Sequence, residues 1–331
     1  MEAIQYGLGP VGCEIVRLGL KRGLRYIGAV DSDPGKTGRD LGLVAGLGRE
    51  LGVLVTDDVE DLLARAGGVV VTHATGSSLQ RVLNQLIDLL RAGCTVVSTC
   101  EELSYPYLAH PEEAAVLAEA ANRHGGRLLG TGVNPGFVMD VLPLCLTLAS
   151  QEVISVQVER VVDAAKRREP LQKKVGAGLS KEEFARGVDS GIIRHVGLRE
   201  SVAMLAAGLG WQLERIDEQI EPVISGERLR SAYVTVEPGG VAGVHQVARG
   251  FVNGAGPKIV LDLTMALGKE GLDRITVDGQ PPLTLEVRGG VHGDLATASV
   301  VINSIPGLVS LPPGLHTMLD LLRARYGPLA S

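Results

Sequence analysis

The chain has 331 residues and a formal net charge of −6, with 45% hydrophobic and 21% charged residues. That is enough chain for about two domains with full-sized cores, and it excludes a disordered protein. No basic run and no apolar stretch of about 18 residues occurs, which argues against a nucleic-acid or anionic-membrane partner and against a membrane-spanning helix.

Residues 3–6 read as a strand, after which Val11, Ile15 and Leu18 recur at helical spacing. Residues 26–30 are a second strand. After an irregular stretch, 68–72 form a continuous apolar run of the kind buried on both faces of a sheet. Leu79, Val82, Leu83, Leu86 and Leu90 then mark a helix, and 95–99 another buried strand. The next helix opens on Pro111 with Glu112 and Glu113 in its first turn, and closes with Arg123, His124 and Gly125. Residues 127–129 are one more strand. This alternation predicts a Rossmann-type, doubly wound parallel sheet in an α/β fold.

Beyond Asn134 the pattern changes. Residues 153–162, 233–237, 244–252, 259–265 and 283–287 alternate with period two, so an α+β domain with a mostly antiparallel open sheet is expected. Ser180 and Glu183 fit a capping box, Leu198, Val202, Leu205, Ala206 and Leu209 form an amphipathic helix, and residues 314–326 read as helical. The uncharged stretch 296–318 carries Asn303, Pro306, Pro312, Pro313 and His316, which excludes it as a membrane span. The domain expectation is a dinucleotide-binding domain over 1–133, with 306–331 packing back on it, and a substrate-binding and dimerisation domain over 134–305.

Gly7-Leu8-Gly9-Pro10-Val11-Gly12 follows a strand, opens a helix and lies about 20 residues before Asp31, at the end of the second strand. In such a turn Gly7 permits the tight bend and Gly9 the approach of a pyrophosphate to the helix N-terminus. Gly12 permits helix–strand packing, and Asp31, followed by Ser32, can bind an adenosine ribose. Asp31 repels a 2′-phosphate, so NAD is expected; Lys36 and Arg39 nearby leave NADP possible. Later strand ends supply Thr75 and Gly76, Thr99 and Cys100, and Asn134, which suits either the nicotinamide carboxamide or a turn before Pro135.

No metal-ligand spacing and no nucleophile elbow is present. The candidates for chemistry are Glu101 and Glu102, on the turn after the 95–99 strand, where a carboxylate can hold an ammonium or act as a base. Arg160 sits on the apolar face of its strand, with Ile154, Val156, Val158 and Val162, and must find an anion, either a substrate carboxylate or a structural partner. Lys173 and Lys174 precede a Gly-rich loop. His195 and Phe137 are further candidates for the substrate side, each with a structural alternative.

With those residues in view, the chain resembles the 2,4-diaminopentanoate dehydrogenases and related NAD(P)-dependent amine dehydrogenases, which are distant relatives of dihydrodipicolinate reductase. The resemblance rests on GLGPVG (7–12), STCEELSYP (98–106), GTGVNPGFVMD (130–140), RREPLQKKVGAG (167–178), HVGLRES (195–201), INSIPGL (302–308) and PPGLHTMLD (312–320). It implies reversible oxidative deamination of an amine to a ketone and ammonia, with the family's catalytic glutamate at Glu101 or Glu102. Arg160 and the loop through Lys174 are then candidates for a substrate α-carboxylate. The paired histidines of the dihydrodipicolinate reductases have no counterpart upstream of Lys174. An imine reductase or semialdehyde dehydrogenase is the alternative enzyme, and a non-catalytic dinucleotide sensor the alternative of another class. A cytoplasmic homodimer without metal is expected.

Overall fold

The computed structural model describes residues 1–64, 68–252, 254, 256–322, 324 and 326. The chain divides into two compact units. One holds Met1–Phe137 and the chain returning at His292; the other is centred on Val138–Val291.

The first unit runs β1 (Glu2–Tyr6), α1 (Pro10–Lys21), β2 (Arg25–Val30), α2 (Leu41–Val44), β3 (Val55–Thr56), α3 (Val59–Ala64), β4 (Val70–His73), α4 (Leu79–Arg91), β5 (Thr95–Ser98), α5 (Pro111–His124) and β6 (Arg127–Gly130). A single 3₁₀ turn, Glu101–Leu103, follows β5. β4 and β5 are buried at every position, as strands covered on both faces must be. α4 buries Leu79, Val82, Leu86, Leu89 and Leu90, a stripe at helical spacing, against a core that includes Ile4, Val71, Val96, Leu117 and Leu128.

The stretch between β2 and β3, irregular in the sequence pattern, is organised by one side chain. The buried Asp40 carboxylate accepts backbone N–H bonds from Gly42, Leu51, Gly52 and Val53 at 2.7–3.2 Å.

The second unit runs α6 (Val141–Thr147), β7 (Glu152–Asp163), α7 (Glu169–Lys174), α8 (Lys181–Asp189), α9 (Leu198–Gly208), β8 (Leu213–Ile224), β9 (Leu229–Arg230), β10 (Thr235–Val236), β11 (Val241–Val252), β12 (Pro257–Ala266), β13 (Leu272–Gln280) and β14 (Leu283–Arg288). The six long strands form one sheet in the order β14-β13-β7-β12-β11-β8. Its pairs are antiparallel except β7–β12, which is parallel, so the sheet is mixed. The Ser180–Glu183 capping box forms at α8 as its spacing requires. On β7, Val156, Val158 and Arg160 face inward, but Ile154 is exposed, because the register with β13 shifts there: Asp278 pairs with Ser155 and Gly279 with Val153, so the bulge skips Ile154 and turns Val153 inward.

The chain then re-enters the first unit through α10 (Gly293–Val309), β15 (Gly314–His316) and α11 (Met318–Leu321). β15 adds to β6, so the first sheet is seven-stranded and parallel, in the order β15-β6-β5-β4-β1-β2-β3. The helical expectation for 314–326 is corrected here. The long helix lies earlier and includes Pro306, and its sequence, apolar nearly all round, hides the amphipathic period. The return to the first unit accordingly begins at 292 rather than 306, and the rest of the expected segment, from 327 onward, lies outside the described residues.

Candidate active site

β1 and β4 are neighbours at the point where the strand order reverses, which is where doubly wound sheets bind ligands at their carboxyl ends. A cleft of about 330 Å³ opens there, lined among others by Gly7, Gly9, Asp31, Ser32, Thr75 and Gln85. Five of the residues singled out from the sequence are thus brought to one place.

The three glycines of the turn differ in why they are glycine. Gly7 has φ +91, and a Cβ there would lie 2.4 Å from the Ala74 carbonyl oxygen; at Gly12 it would lie 2.0 Å from the Gly7 carbonyl oxygen. Both are demanded by the fold. A Cβ on Gly9 would meet nothing within 4 Å. Gly9 precedes Pro10 and Val11 at the start of α1, so its bare surface faces open space beside unpaired helix N–H groups. That is the cradle an anionic pyrophosphate requires.

Asp31 is held from three sides. Its Oδ2 accepts the Leu8 N–H at 2.7 Å and the Lys36 ammonium at 3.1 Å, and its Oδ1 accepts the Asp33 N–H at 2.9 Å. A carboxylate has about four acceptor positions, so a ribose hydroxyl can still be taken. Arg39, the other cation considered for a 2′-phosphate, donates to the Gly35 carbonyl.

Past β4, Thr75 lines the cleft and Gly76 is exposed just beyond it. Past β5, the Thr99 N–H bonds the His73 carbonyl at 2.9 Å. Cys100 is a correction: it is buried, its Sγ donates to the Ser77 carbonyl at 3.2 Å, and burial pushes its thiol well up, so its side chain packs in the turn.

The two adjacent glutamates separate in the fold. Glu102 Oε2 accepts the Leu79 N–H at 2.7 Å and lies 3.2 Å from His110 Nε2. It caps α4, whose Ser78 makes no side-chain cap bond, and a carboxylate at a helix N-terminus is electrostatically favoured. Glu101 begins the 3₁₀ turn and is half-buried. Asn134, joined to Pro135 by a cis peptide, is buried in the first unit, and Phe137 is half-buried at its end.

The substrate-side candidates of the second unit are structurally engaged to different degrees. Arg160 is corrected from a substrate ligand to a structural residue. Its Nη1 lies 2.6 Å from Asp273 Oδ1, its Nη2 donates to the Val291 carbonyl at 2.9 Å, and Asp273 Oδ2 accepts the Val291 N–H at 2.6 Å. Both charges are almost wholly buried, and the partner comes from β13, in register beside β7. The backbone of His195 is clamped by the Gln246 amide, which accepts its N–H at 2.7 Å and donates to its carbonyl at 2.9 Å. Lys174 ends α7 half-buried, while Lys173 pairs with Glu169 at 2.9 Å.

Sequence reasoning missed His73 and Gln85. The one available signal was a histidine closing a strand that is otherwise a buried apolar run. Among the described residues, no cluster of three His, Cys, Asp or Glu side chains is placed to hold a metal ion, and no helix is long and apolar enough to cross a membrane.

A family profile described as the 2,4-diaminopentanoate dehydrogenase C-terminal domain matches residues 137–326. The chain is 30% identical to the 2,4-diaminopentanoate dehydrogenase of Acetoanaerobium sticklandii, covering 97% of this chain and 93% of that one. The chain belongs to the 2,4-diaminopentanoate dehydrogenase family. It is therefore a dehydrogenase. It is also 26% identical to an amine dehydrogenase of Streptomyces virginiae, over 99% of this chain and 98% of that one. The structure of an amine dehydrogenase from Mycobacterium smegmatis superposes with a TM-score of 0.87 at 27% identity, covering 98% of this chain and 97% of that one. The two-sheet architecture is thus that of a relative in this enzyme group.

Proposed function

We propose that the chain catalyses the reversible oxidative deamination of an amine, with 2,4-diaminopentanoate or a small amine as donor and a nicotinamide dinucleotide, NAD in preference, as acceptor. The observation that carries the cofactor part is Gly9: its glycine is unexplained by any protein neighbour, yet it faces open space at a helix N-terminus above a cleft that also holds Asp31. Family membership carries the choice of a C–N bond.

When bound, the nicotinamide ring takes the hydride that leaves the amine carbon, R₂CHNH₂ becoming R₂C=NH₂⁺. Water then adds to that carbon and the nitrogen departs, giving R₂C=O and NH₄⁺. Gly7, Gly9, Pro10, Val11 and Gly12 hold the pyrophosphate, Asp31 and Ser32 the ribose, and Thr75, Gly76 and Thr99 border the dinucleotide at the later strand ends. Glu101, half-buried as the first residue of the turn after β5, is assigned as the carboxylate that offsets charge on the iminium and takes a proton from the attacking water, and Glu102 as the cap of α4. Asn134 and Phe137, at the end of the first unit, are assigned to substrate. A homodimer in the cytoplasm, with only small-molecule partners, completes the reading; sedimentation velocity tests the dimer.

The test is reduction of NAD by 2,4-diaminopentanoate and by short amines at alkaline pH, with ammonia-dependent oxidation of NADH by a ketone as the reverse. Absence of turnover in both directions would overturn the reading. Glu101→Gln should lose about 100-fold in turnover with NAD binding retained. Glu102→Gln should keep turnover within about tenfold and lose at most about 1 kcal/mol of stability, because its amide oxygen still accepts the Leu79 N–H and only the charge at the helix N-terminus is removed. Equal turnover in both variants would remove Glu101 from the chemistry.

A further inference from the structure

Behind the cleft of the first unit stands a histidine that the deamination scheme does not use. His73 closes β4, is fully buried, and meets Tyr6 edge to face with ring centroids 5.4 Å apart. Its Nδ1 lies 2.8 Å from Ser98 Oγ; its Nε2 lies 2.9 Å from Gln85 Oε1 and 2.9 Å from Thr75 Oγ1. Thr75 Oγ1 in turn donates to Gln85 Oε1 at 2.8 Å. His73, Thr75 and Gln85 therefore form a closed triangle, two corners of which line the cleft.

The direction of these bonds follows from the far end of the chain of contacts. Ser98 Oγ accepts the Cys100 N–H at 3.1 Å and is fully buried, so its own hydroxyl proton needs an acceptor. His73 Nδ1 is that acceptor. The ring proton then sits on Nε2, where it meets Gln85 Oε1, an atom that can only accept. Burial holds the imidazole pKa down at about 4, so this neutral arrangement persists across the working pH range of an enzyme. With Oε1 taken by two donors, the Gln85 amide cannot turn over without breaking both bonds. Among the described residues nothing accepts from Gln85 Nε2.

We propose that His73 is a positioning residue for dinucleotide binding, locking Gln85 with Oε1 inward so that its Nε2–H₂ donates to an acceptor atom of the dinucleotide in the cleft. The inference rests on the dinucleotide reading above and adds a polarity to it: this wall of the cleft recognises a hydrogen-bond acceptor. A ring nitrogen and a ribose or phosphate oxygen share that chemistry.

The experiment is titration with NADH, followed by the fluorescence of the dinucleotide, in the wild type, Gln85→Met, His73→Phe and the double variant, with thermal unfolding of each. Gln85→Met removes the donors at nearly constant volume and should weaken NADH about tenfold. His73→Phe keeps the aromatic contact with Tyr6, frees the amide, and should weaken NADH by a similar factor. The double variant should be no weaker than the worse single one, because both changes remove the same bond. A residue that merely stabilised the fold would lower the unfolding temperature and multiply with Gln85→Met.

If His73→Phe does not fold, Thr75→Val, which removes the other donor to Oε1, takes its place in the cycle with the same expectation. NADH affinity within twofold of wild type in the folded single variants, or multiplicative losses, would overturn the proposal while leaving the dinucleotide reading intact. A wild type that binds no NADH overturns both.

Discussion

Replacing Arg160 with methionine separates a structural ion pair from a substrate ligand. Among the described residues, the substitution leaves the Asp273 carboxylate, 1% exposed on its side chain, with only the Val291 N–H as hydrogen-bond partner and removes the guanidinium 2.6 Å away. Stranding one member of a buried pair costs about 3–5 kcal/mol, most of it from the unpaired charge rather than from the lost attraction. The Val291 carbonyl also loses its donor, which puts Arg160→Met toward the upper end of that range. For a unit of this size the loss lowers the unfolding temperature by about 10 °C.

The pair is then tested by adding Asp273→Asn, which removes the stranded charge and keeps an acceptor for Val291. In urea unfolding followed by far-ultraviolet circular dichroism, the double variant should recover about 2 kcal/mol relative to the sum of the singles. The refuting result is an Arg160→Met enzyme within about 1 kcal/mol of the wild type whose KM for the amine alone has risen. That would return Arg160 to the substrate.

Three further outcomes are expected. Gly12→Ala should fail to give soluble enzyme because its Cβ has no room, whereas Gly9→Ala should fold with an unchanged unfolding temperature and lose at least tenfold in NAD affinity, measured by calorimetry. Asp31→Ala should weaken NAD and, by leaving Lys36 without its strongest anionic neighbour, improve NADP relative to NAD; an unchanged ratio of the two dissociation constants would take Asp31 off the ribose. The four N–H bonds to Asp40 hold its carboxyl below the usual value near 3.8, so the unfolded chain binds that proton first as the pH falls. The stability it contributes is complete above about pH 4 and is lost below that as the folded group protonates; Asp40→Asn should therefore be less stable at neutral pH, with the gap closing in urea melts taken toward pH 2.

The dinucleotide half of the protein was legible because its information is local. A strand, a glycine turn and a helix are contiguous in GLGPVG, and the distance to Asp31 is set by the length of one helix and one strand. The buried runs at β4 and β5 announce a parallel sheet for the same reason. The missed strand β8 has no buried position and carries charged residues on both faces, so periodicity loses its contrast, while β13 does alternate but puts the charged Asp273 on its buried face beside Ile275 and Val277. α10 was missed for the opposite reason, since it is apolar on nearly every face.

Chain chemistry by itself determined the family, pointed to a dinucleotide and singled out the adjacent carboxylates as candidates, because each depends on residue types at fixed short separations. Only the tertiary structure decided what individual polar side chains do. The Glu102 carboxylate is taken by the N–H of Leu79, 23 residues away, and Arg160 by Asp273, 113 residues away on a neighbouring strand. His73 acquired its direction from Ser98 and Gln85. A buried charge or hydrogen-bonding group must find a partner wherever the fold brings one, and strand order and register, which no local pattern encodes, choose that partner.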